Sequence, residues 1–201
     1  MKKRIAYLKR KTHETEISVK LNIDGKGKSY IDTGIGILDH MLELFSFHGL
    51  FDLEIKAKGD LKVDLHHTNE DIGITLGEAF KKALGNKKGI RRFGFSAVPM
   101  EEVVAWVVID ISGRGFFKLK KEDIYKSSLS QRDYTFLDAE HFLDAFAKHL
   151  GMNLNILISP LSRDLHTNLE PIFKALGLAL DQATQTDPRR KGVPSTKGVI
   201  D

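Results

Sequence analysis

Along the N-terminal part of the chain, apolar and polar residues alternate or recur at helical spacing, and each pattern predicts an element. Alternation over residues 16 to 24, followed by a glycine-rich turn and apolar residues 30 and 31, predicts a hairpin with one buried face. An apolar stripe at helical spacing predicts a helix over residues 38 to 48. Two further alternating segments predict strands at residues 51 to 57 and 61 to 65.

The C-terminal part predicts a similar order of elements. A nearly continuous apolar run at residues 103 to 111 predicts a central strand. Helices are predicted at 138 to 150 and from about 168 to 183, with a strand at 154 to 158 between them, and Pro171 then falls in the first turn of the last helix. The polar residues 118 to 135 predict a surface excursion, and the composition of the tail predicts disorder.

Residues 64 to 77 contain a dense group of possible metal ligands and read DLHHTNEDIGITLG. If a helix begins near Thr68, with Asp71 completing an N-terminal capping pair, then His66, His67 and Glu70 gather at its first turn. This spacing indicates half of a metal site. Adjacent histidines are also common as ordinary surface or core residues, so the stretch alone leaves both interpretations open.

The same ligand pattern recurs about a hundred residues later in the chain. The matched pairs are His40 with His141, His48 with His149, His66 with His166 and Glu70 with Glu170. Four matches in one order indicate a fused duplication. The sequence therefore predicts a single unit, residues 1–201, made of two halves, about 1–90 and 91–186, with a basic tail at 187–201.

Composition limits the chemistry and the compartment. The 201 residues include no cysteine, which excludes disulfides and zinc–thiolate sites and agrees with a reducing, cytoplasmic location. Imidazole and carboxylate ligands without thiolate suit a borderline divalent ion such as manganese, zinc, iron or nickel. No run approaches the roughly 20 apolar residues that span a bilayer, and the N-terminus lacks the apolar core of a signal peptide.

The net charge of +4 indicates an anionic partner, either nucleic acid or a phosphorylated small molecule. For most lysines a solvated surface is the simpler interpretation. Arg114 differs, because glycines flank it after a predicted strand and its guanidinium could fork onto a phosphate. Glu14 is either a solvated charge or a catalytic group, and its position alone favours the solvated charge.

Seven segments spread over nearly the whole chain form a specific pattern by their order and spacing. They are DTGIGILDHMLELFSFHG at 32 to 49, DLHHTNED at 64 to 71, RRFG at 91 to 94, DISGR at 110 to 114, AEHFLDAFAKH at 139 to 149, ExIFKALGLAL at 170 to 180 and PSTKG at 194 to 198. Together they closely resemble the imidazoleglycerol-phosphate dehydratase family.

The resemblance implies an α+β fold, an internally duplicated two-half unit in which each half is a mixed sheet with helices packed on one face, similar to domain 2 of ribosomal protein S5. It implies a lyase of histidine biosynthesis that converts D-erythro-1-(imidazol-4-yl)glycerol 3-phosphate to 3-(imidazol-4-yl)-2-oxopropyl phosphate and water. It also implies a homo-oligomer, a shell of twenty-four subunits built from trimers, with two manganese ions per active site at subunit interfaces. A metal on the imidazole would act as a Lewis acid and assist departure of a poor leaving group.

The resemblance also assigns roles to individual residues. The implied metal ligands are His40, His66, His67, Glu70, His141, His166 and Glu170. The implied phosphate-binding residues are Arg92, Arg114, Lys174, Ser195 and Lys197, which would make the tail an ordered phosphate clamp. Glu14 matches the family's T-x-E-T motif and is the candidate for proton removal and return at carbon. His48 is the candidate for a contact with the substrate hydroxyls.

The second ligand cluster departs from the family pattern HHxxE. Thr167 stands at its second histidine and Asp164 at a preceding asparagine, while Asn155 replaces a histidine common in the strand before. One manganese site is therefore expected to be a ligand short. Two other interpretations stay open. One is a catalytically weakened homologue retained for assembly or metal binding, and the other is a basic nucleic-acid-binding module, although no aromatic-rich surface for base stacking accompanies the positive charge.

Overall fold

In the computed structural model, which describes residues 3–121, 129–131 and 133–200, the first half of the chain forms a four-stranded mixed sheet. Its strands are β1 (Ile5–Lys11), β2 (Thr15–Asn22), β3 (Ser29–Asp32) and β4 (Asp52–Gly59), in the order β1-β2-β4-β3. The predicted hairpin is wrong, because β3 lies parallel to β4 and does not pair with β2. Strand β4 pairs with β2 in the place predicted for β3. This pairing aligns Ile55 with Val19 on the buried face, and β4 is longer than β3.

The second half builds the same sheet again. Its strands are β5 (Phe93–Met100), β6 (Val103–Asp110), β7 (Phe116–Lys121) and β10 (Asn153–Ser159), in the order β5-β6-β10-β7. Both sheets have two antiparallel pairs and one parallel edge pair, at corresponding places. A short ladder joins β8 (Ser130–Gln131) to β9 (Tyr134–Thr135). The duplicated α+β fold expected from the sequence is therefore confirmed.

The described residues form four helices, which lie between the two sheets. They are α1 (Gly36–Gly49), α2 (Leu65–Leu84), α3 (Phe136–Leu150) and α4 (Leu165–Thr184). Helix α2 packs on β1 and β2, and α4 packs on β5 and β6, while α1 contacts α4 and α2 contacts α3. The halves thus share one apolar core, in which rings such as Phe45, Phe80 and Phe146 meet edge to face.

Two repeat-related glycines allow the helices of opposite halves to approach closely. A Cβ on Gly77 of α2 would lie 2.7 Å from the carbonyl oxygen of Phe146 in α3. A Cβ on Gly177 of α4 would lie 2.5 Å from the carbonyl oxygen of Phe45 in α1. Because real Cβ contacts are longer, a side chain at either position would push the paired helices apart.

The starts of α2 and α4 differ from the sequence expectation. Helix α2 begins at Leu65, where Asp64 caps it by accepting the N–H of His66, so residues 61 to 65 form a turn and a helix entrance instead of a strand. Thr68 and Asp71 are buried within the helix and do not cap it. Helix α4 begins at Leu165, so Pro171 lies in its second turn. In both cases an aspartate caps the helix ahead of its predicted start, so the helix begins earlier than the sequence predicts.

The tail is held by hydrogen bonds that its composition does not reveal. The N–H of Gly89 donates to the carbonyl oxygen of Gly192 (3.0 Å), and Nη1 of Arg92 donates to that of Pro194 (2.9 Å). The prediction of disorder is therefore wrong for residues 187–200. Part of the predicted surface excursion, residues 122–128 and 132, lies outside the described residues. Among the helices that are described, none is both long and apolar enough to cross a membrane.

Candidate functional site

The helix packing brings together ligand candidates from opposite halves. His40 on α1 meets His166 and Glu170 on α4, and His141 on α3 meets His66 on α2, whose neighbour along the helix is Glu70. The two groups are related by the internal repeat, but each takes one histidine from one half and a histidine–glutamate pair from the other. The internal repeat predicts two matching sets of ligands. It does not predict that each group combines residues of both halves.

The first group converges within hydrogen-bonding distance. Oε1 of Glu170 lies 3.2 Å from Nε2 of His40 and 2.5 Å from Nε2 of His166. The two imidazole rings stack with centroids 5.1 Å apart. One ligand atom from each of the three residues lies within 4.8 Å of the others, a separation that a single ion could bridge.

Lys174 completes the surroundings of Glu170. Its ammonium group donates to Oε2, the carboxylate oxygen that the histidines leave free. Burial alone would raise the pKa of Glu170, but hydrogen bonds from Lys174, His40 and His166 lower it from 4.5 to about 2. The carboxylate is therefore ionised at neutral pH. Nearby, burial and the charge of Lys174 lower the pKa of His48, which favours a neutral imidazole.

The second group is looser and contains an unpaired buried atom. The rings of His66 and His141 meet nearly perpendicularly, with centroids 4.9 Å apart, and Nε2 of His66 lies 3.6 Å from Oε2 of Glu70. Nδ1 of His141 is buried without a hydrogen-bond partner among the described residues. A buried imidazole nitrogen without a hydrogen-bond partner lowers the stability of the fold, unless the nitrogen binds an ion or another ligand.

His67 lies next to His66 of the second group, and its Nδ1 faces two carboxylates. Its Nδ1 lies 3.2 Å from Oδ2 of Asp60 and 3.7 Å from Oε2 of Glu14. The hydrogen bond to Asp60, aided by the charge of Glu14, raises the pKa of His67 against the effect of its desolvation. Asp60 was not among the predicted residues, although a carboxylate in the turn after β4 and before the double histidine was a usable signal.

A cavity of about 690 Å³ opens beside the first group. Residues 34–37, at the entrance to α1, form part of its wall, together with His40, His166 and Tyr134. Its volume suits a small organic ligand. Two of the predicted metal ligands therefore border a space in which a substrate of that size could lie.

The predicted phosphate-binding residues are only partly brought together. Arg92 forks onto the carboxylate of Asp110 and also holds the carbonyl oxygen of Pro194, which places it beside Ser195. Arg114 and Lys197 are exposed. Lys174, by contrast, is engaged with Glu170 on α4.

Thr167 and Asp164 act at the start of α4 as a helix cap. Oδ2 of Asp164 accepts the backbone N–H of Thr167 at 2.7 Å and its hydroxyl at 2.9 Å. The corresponding position in α2 is His67, which faces Asp60. The second half has Pro160 and Leu161 in the loop that matches Asp60, so the cluster of Glu14, Asp60 and His67 has no counterpart there.

Glu170 should make the metal-free protein sensitive to acid. Because its pKa falls on folding from 4.5 to about 2, the ionised carboxylate stabilises the fold fully above about pH 4.5 and loses this effect as the pH falls towards 2. The interval corresponds to about 3 kcal/mol of unfolding free energy. Urea unfolding of chelated protein near neutrality and at about pH 3 measures the loss, of which about 2 kcal/mol should have appeared by pH 3. In Glu170→Gln the loss should be smaller, and an unchanged loss would contradict the assignment.

Comparison with known proteins agrees with this arrangement. The family model for imidazoleglycerol-phosphate dehydratase matches residues 33–180. A dehydratase of that name from Methanocella arvoryzae is 52% identical over 197 residues, covering 98% of this chain and 100% of the relative. The solved dehydratase from Staphylococcus aureus is 32% identical with a TM-score of 0.79, covering 91% of this chain and 99% of its own. The one from Pyrococcus furiosus, in complex with (S)-C348, is 34% identical with a TM-score of 0.81, covering 96% and 100%.

The duplicated fold and these matches define an enzyme of the hydro-lyase class that acts in histidine biosynthesis. The chain belongs to the imidazoleglycerol-phosphate dehydratase family.

Proposed function

We propose that the chain removes water from D-erythro-1-(imidazol-4-yl)glycerol 3-phosphate to give 3-(imidazol-4-yl)-2-oxopropyl phosphate, in the cytoplasm. The observation that carries the proposal is the approach of Glu14 to His67, on the same helix that carries His66 and Glu70. A carboxylate for proton transfer and ligands for an ion that polarises imidazole are the two parts this reaction requires. The family match over nearly the whole chain favours this over a nucleic-acid-binding module.

The residues present fit a divalent metal ion. Nδ1 of His141 is buried and has no hydrogen-bond partner within the described part of the chain, and the donor set consists of imidazole nitrogens and carboxylate oxygens, which suit manganese among other ions. The proposed ligands are those implied by the resemblance: His40, His66, His67, Glu70, His141, His166 and Glu170. Bound to the substrate imidazole, the metal would supply Lewis-acid polarisation that favours loss of the neighbouring hydroxyl.

Glu14 carries the proton transfers in the proposed reaction. The adjacent carbon loses its proton to the Glu14 carboxylate and the hydroxyl leaves the ring-bearing carbon as hydroxide, which gives an enol. Protonated Glu14 then returns its proton to the ring-bearing carbon, and the enol O–H releases its proton to the hydroxide, so that the ketone and water form together. The side chain suits this work because it is 54% exposed and free to meet a substrate from solvent.

His48 is proposed to contact the substrate hydroxyls. Its lowered pKa keeps the imidazole neutral at physiological pH, so one ring nitrogen donates and the other accepts a hydrogen bond. Either nitrogen can pair with a hydroxyl group. The adjacent Lys174 and Glu170 place it beside the first histidine group.

The direct test is turnover of the purified protein with the phosphorylated substrate and manganese. Formation of the keto phosphate, abolished by chelation and restored by manganese, is the expected result. No product with manganese or any other divalent ion would contradict the proposal and favour a catalytically weakened homologue.

We propose that Arg114 and Lys197 bind the substrate phosphate. Both are exposed and basic, and Ser195 accepts the N–H of Lys197 at 3.2 Å in the ordered tail. Arg114→Ala and Lys197→Ala should each raise the KM at least about tenfold, because a charge-assisted hydrogen bond to a phosphate contributes about 1.5 to 3 kcal/mol. Metal content should not change.

Lys191→Ala is the matched control for this experiment, because Lys191 is an exposed lysine of the same tail outside the proposed site. Steady-state kinetics and metal analysis would be compared for all three variants. A KM as low as that of the control would show that Arg114 and Lys197 are solvated surface charges.

Assembly into a shell of twenty-four subunits is also proposed from the resemblance. The outward face of the second sheet supports burial by a partner subunit, since Phe93, Phe95 and Val108 are about half exposed there. Light scattering of the purified protein measures the size directly.

A further inference from the structure

Glu14 lies in a turn between β1 and β2 that is closed by the threonines on either side of it. The N–H of Thr12 donates to the carbonyl oxygen of Thr15 at 2.9 Å. The hydroxyl oxygen of Thr12 accepts the backbone N–H groups of Glu14 at 3.1 Å and Thr15 at 3.0 Å. The backbone of Glu14 is therefore fixed, although its side chain is exposed.

The hydroxyl of Thr15 connects this turn to helix α2. It is buried and donates to Oδ2 of Asp71 at 2.5 Å, while its oxygen lies 3.1 Å from the hydroxyl oxygen of Thr12. Since Thr15 has one hydroxyl proton and gives it to Asp71, Thr12 must be the donor to Thr15. The result is a directional chain of hydrogen bonds from the Glu14 turn to a buried carboxylate.

Asp71 stands on the same helix as the ligand candidates. It follows Glu70 directly and lies four residues after His67, one helical turn along. Its other oxygen, Oδ1, accepts from Nε of Arg10 on β1 at 2.6 Å. Asp71 thereby ties the turn that carries Glu14 to the helix that carries His67, and so helps to set the 3.7 Å separation of the two side chains.

The second half shows that the fold does not require this connection. Thr15 is the first, buried residue of β2, and the corresponding first, buried residue of β6 is Val103. Asp71 is the seventh residue of α2, and the seventh residue of α4 is Pro171. The same sheet and helix form there with neither the hydroxyl nor the carboxylate.

We propose that Thr15 and Asp71 are positioning residues that hold the Glu14 carboxylate where it can reach the carbon-bound proton of the substrate. The proposal rests on the role of Glu14 proposed above. The T-x-E-T motif then has a physical meaning: Thr12 fixes the turn, and Thr15 connects the turn to α2 by its hydrogen bond to Asp71. Displacement of a reacting group by about 1 Å can cost about a hundredfold in rate, so this hydrogen bond is expected to have a large effect on turnover.

Thr15→Val compared with Thr15→Ser tests the proposal. Valine is the residue that the repeat itself uses at this position and it keeps the β-branched shape, so the variant should fold. It should lower kcat about 10 to 100-fold with unchanged KM and metal content. Serine keeps the hydroxyl and should retain most of the turnover. Asp71→Asn, which removes the charge at constant shape, should behave like Thr15→Val.

Two further measurements separate positioning from a general structural effect. The kinetic isotope effect for substrate deuterated at the carbon that loses its proton should rise in Thr15→Val, because proton transfer becomes slower relative to other steps. In a Glu14→Gln background, Thr15→Val should cause no further loss, because it acts only through Glu14.

Several results would overturn the proposal. These are wild-type turnover in Thr15→Val, an equal loss in Thr15→Ser, loss of metal together with rate, or a full additional loss in the Glu14→Gln background. Full turnover in Glu14→Gln alone would overturn the role of Glu14 and this proposal with it. Loss in Glu14→Gln with wild-type turnover in Thr15→Val would overturn only the positioning role.

Discussion

Glu14→Gln is expected to retain metal content and assembly while losing most of the turnover, by about 10² to 10⁴-fold. Glutamine has nearly the same shape but cannot accept a proton from carbon at neutral pH. The hydrogen bonds that fix the turn use the backbone of Glu14 and the hydroxyl of Thr12, so the substitution leaves them in place. Steady-state kinetics, metal analysis and light scattering on one preparation measure all three properties.

Glu16→Gln provides a matched control for this substitution. Glu16 is another exposed glutamate two residues along the chain, and its partner is Lys11. Its variant should have wild-type turnover. If Glu14→Gln behaved in the same way, Glu14 would have no part in the proton transfer.

The internal repeat carried most of the fold prediction. Matching His40 with His141 and His66 with His166 implied two related halves, and the two sheets have the same strand order and pairing. The helix predicted at residues 38 to 48 was also located well, as α1, because a buried apolar stripe determines it. Short elements such as β3 were not, because their pairing depends on which edge the rest of the sheet leaves open.

The arrangement of the ligand groups could not be predicted from the order of residues. A repeat indicates that two sets of ligands exist, but the packing of α1 against α4 decides that His40 joins Glu170. The glycines at 77 and 177 were visible in the sequence as matched positions, yet only the structure shows that they sit at the crossings between halves. Sequence patterns describe faces of helices, and the choice of partner is a tertiary property.

The structure also shows where the two halves diverged chemically. The first half has Glu14, Asp60 and His67 at the helix entrance, while the second has Thr167 there and no facing carboxylate cluster among the described residues. Conversely, Glu170 is held by Lys174, whereas the residue four after Glu70 is Ile74. The two halves share one fold, but among the described residues the first half places Glu14 beside a histidine at the helix entrance, and the second half places a cation beside its carboxylate.

The two proposed metal ions should be bound with unequal strength, the weaker being the one that lacks a histidine at position 167. The hydroxyl of Thr167 and the carboxylate of Asp164 are both committed to the cap of α4, so neither becomes a ligand without giving up a cap, at a cost of about 1 kcal/mol. Loss of an outer partner alone typically costs about 10 to 100-fold in metal affinity, and loss of a direct ligand should cost at least as much.

A chelator titration followed by metal analysis should therefore release one ion per subunit before the other, with activity falling at the first step, and Thr167→His should bring the two steps together. Thr167→Val is the control for this substitution: it removes the hydroxyl at nearly constant volume and should leave the first step where it is, since the hydroxyl is not a ligand. Release of both ions at one chelator concentration, with Thr167→His changing nothing, would show that position 167 does not contribute to either site.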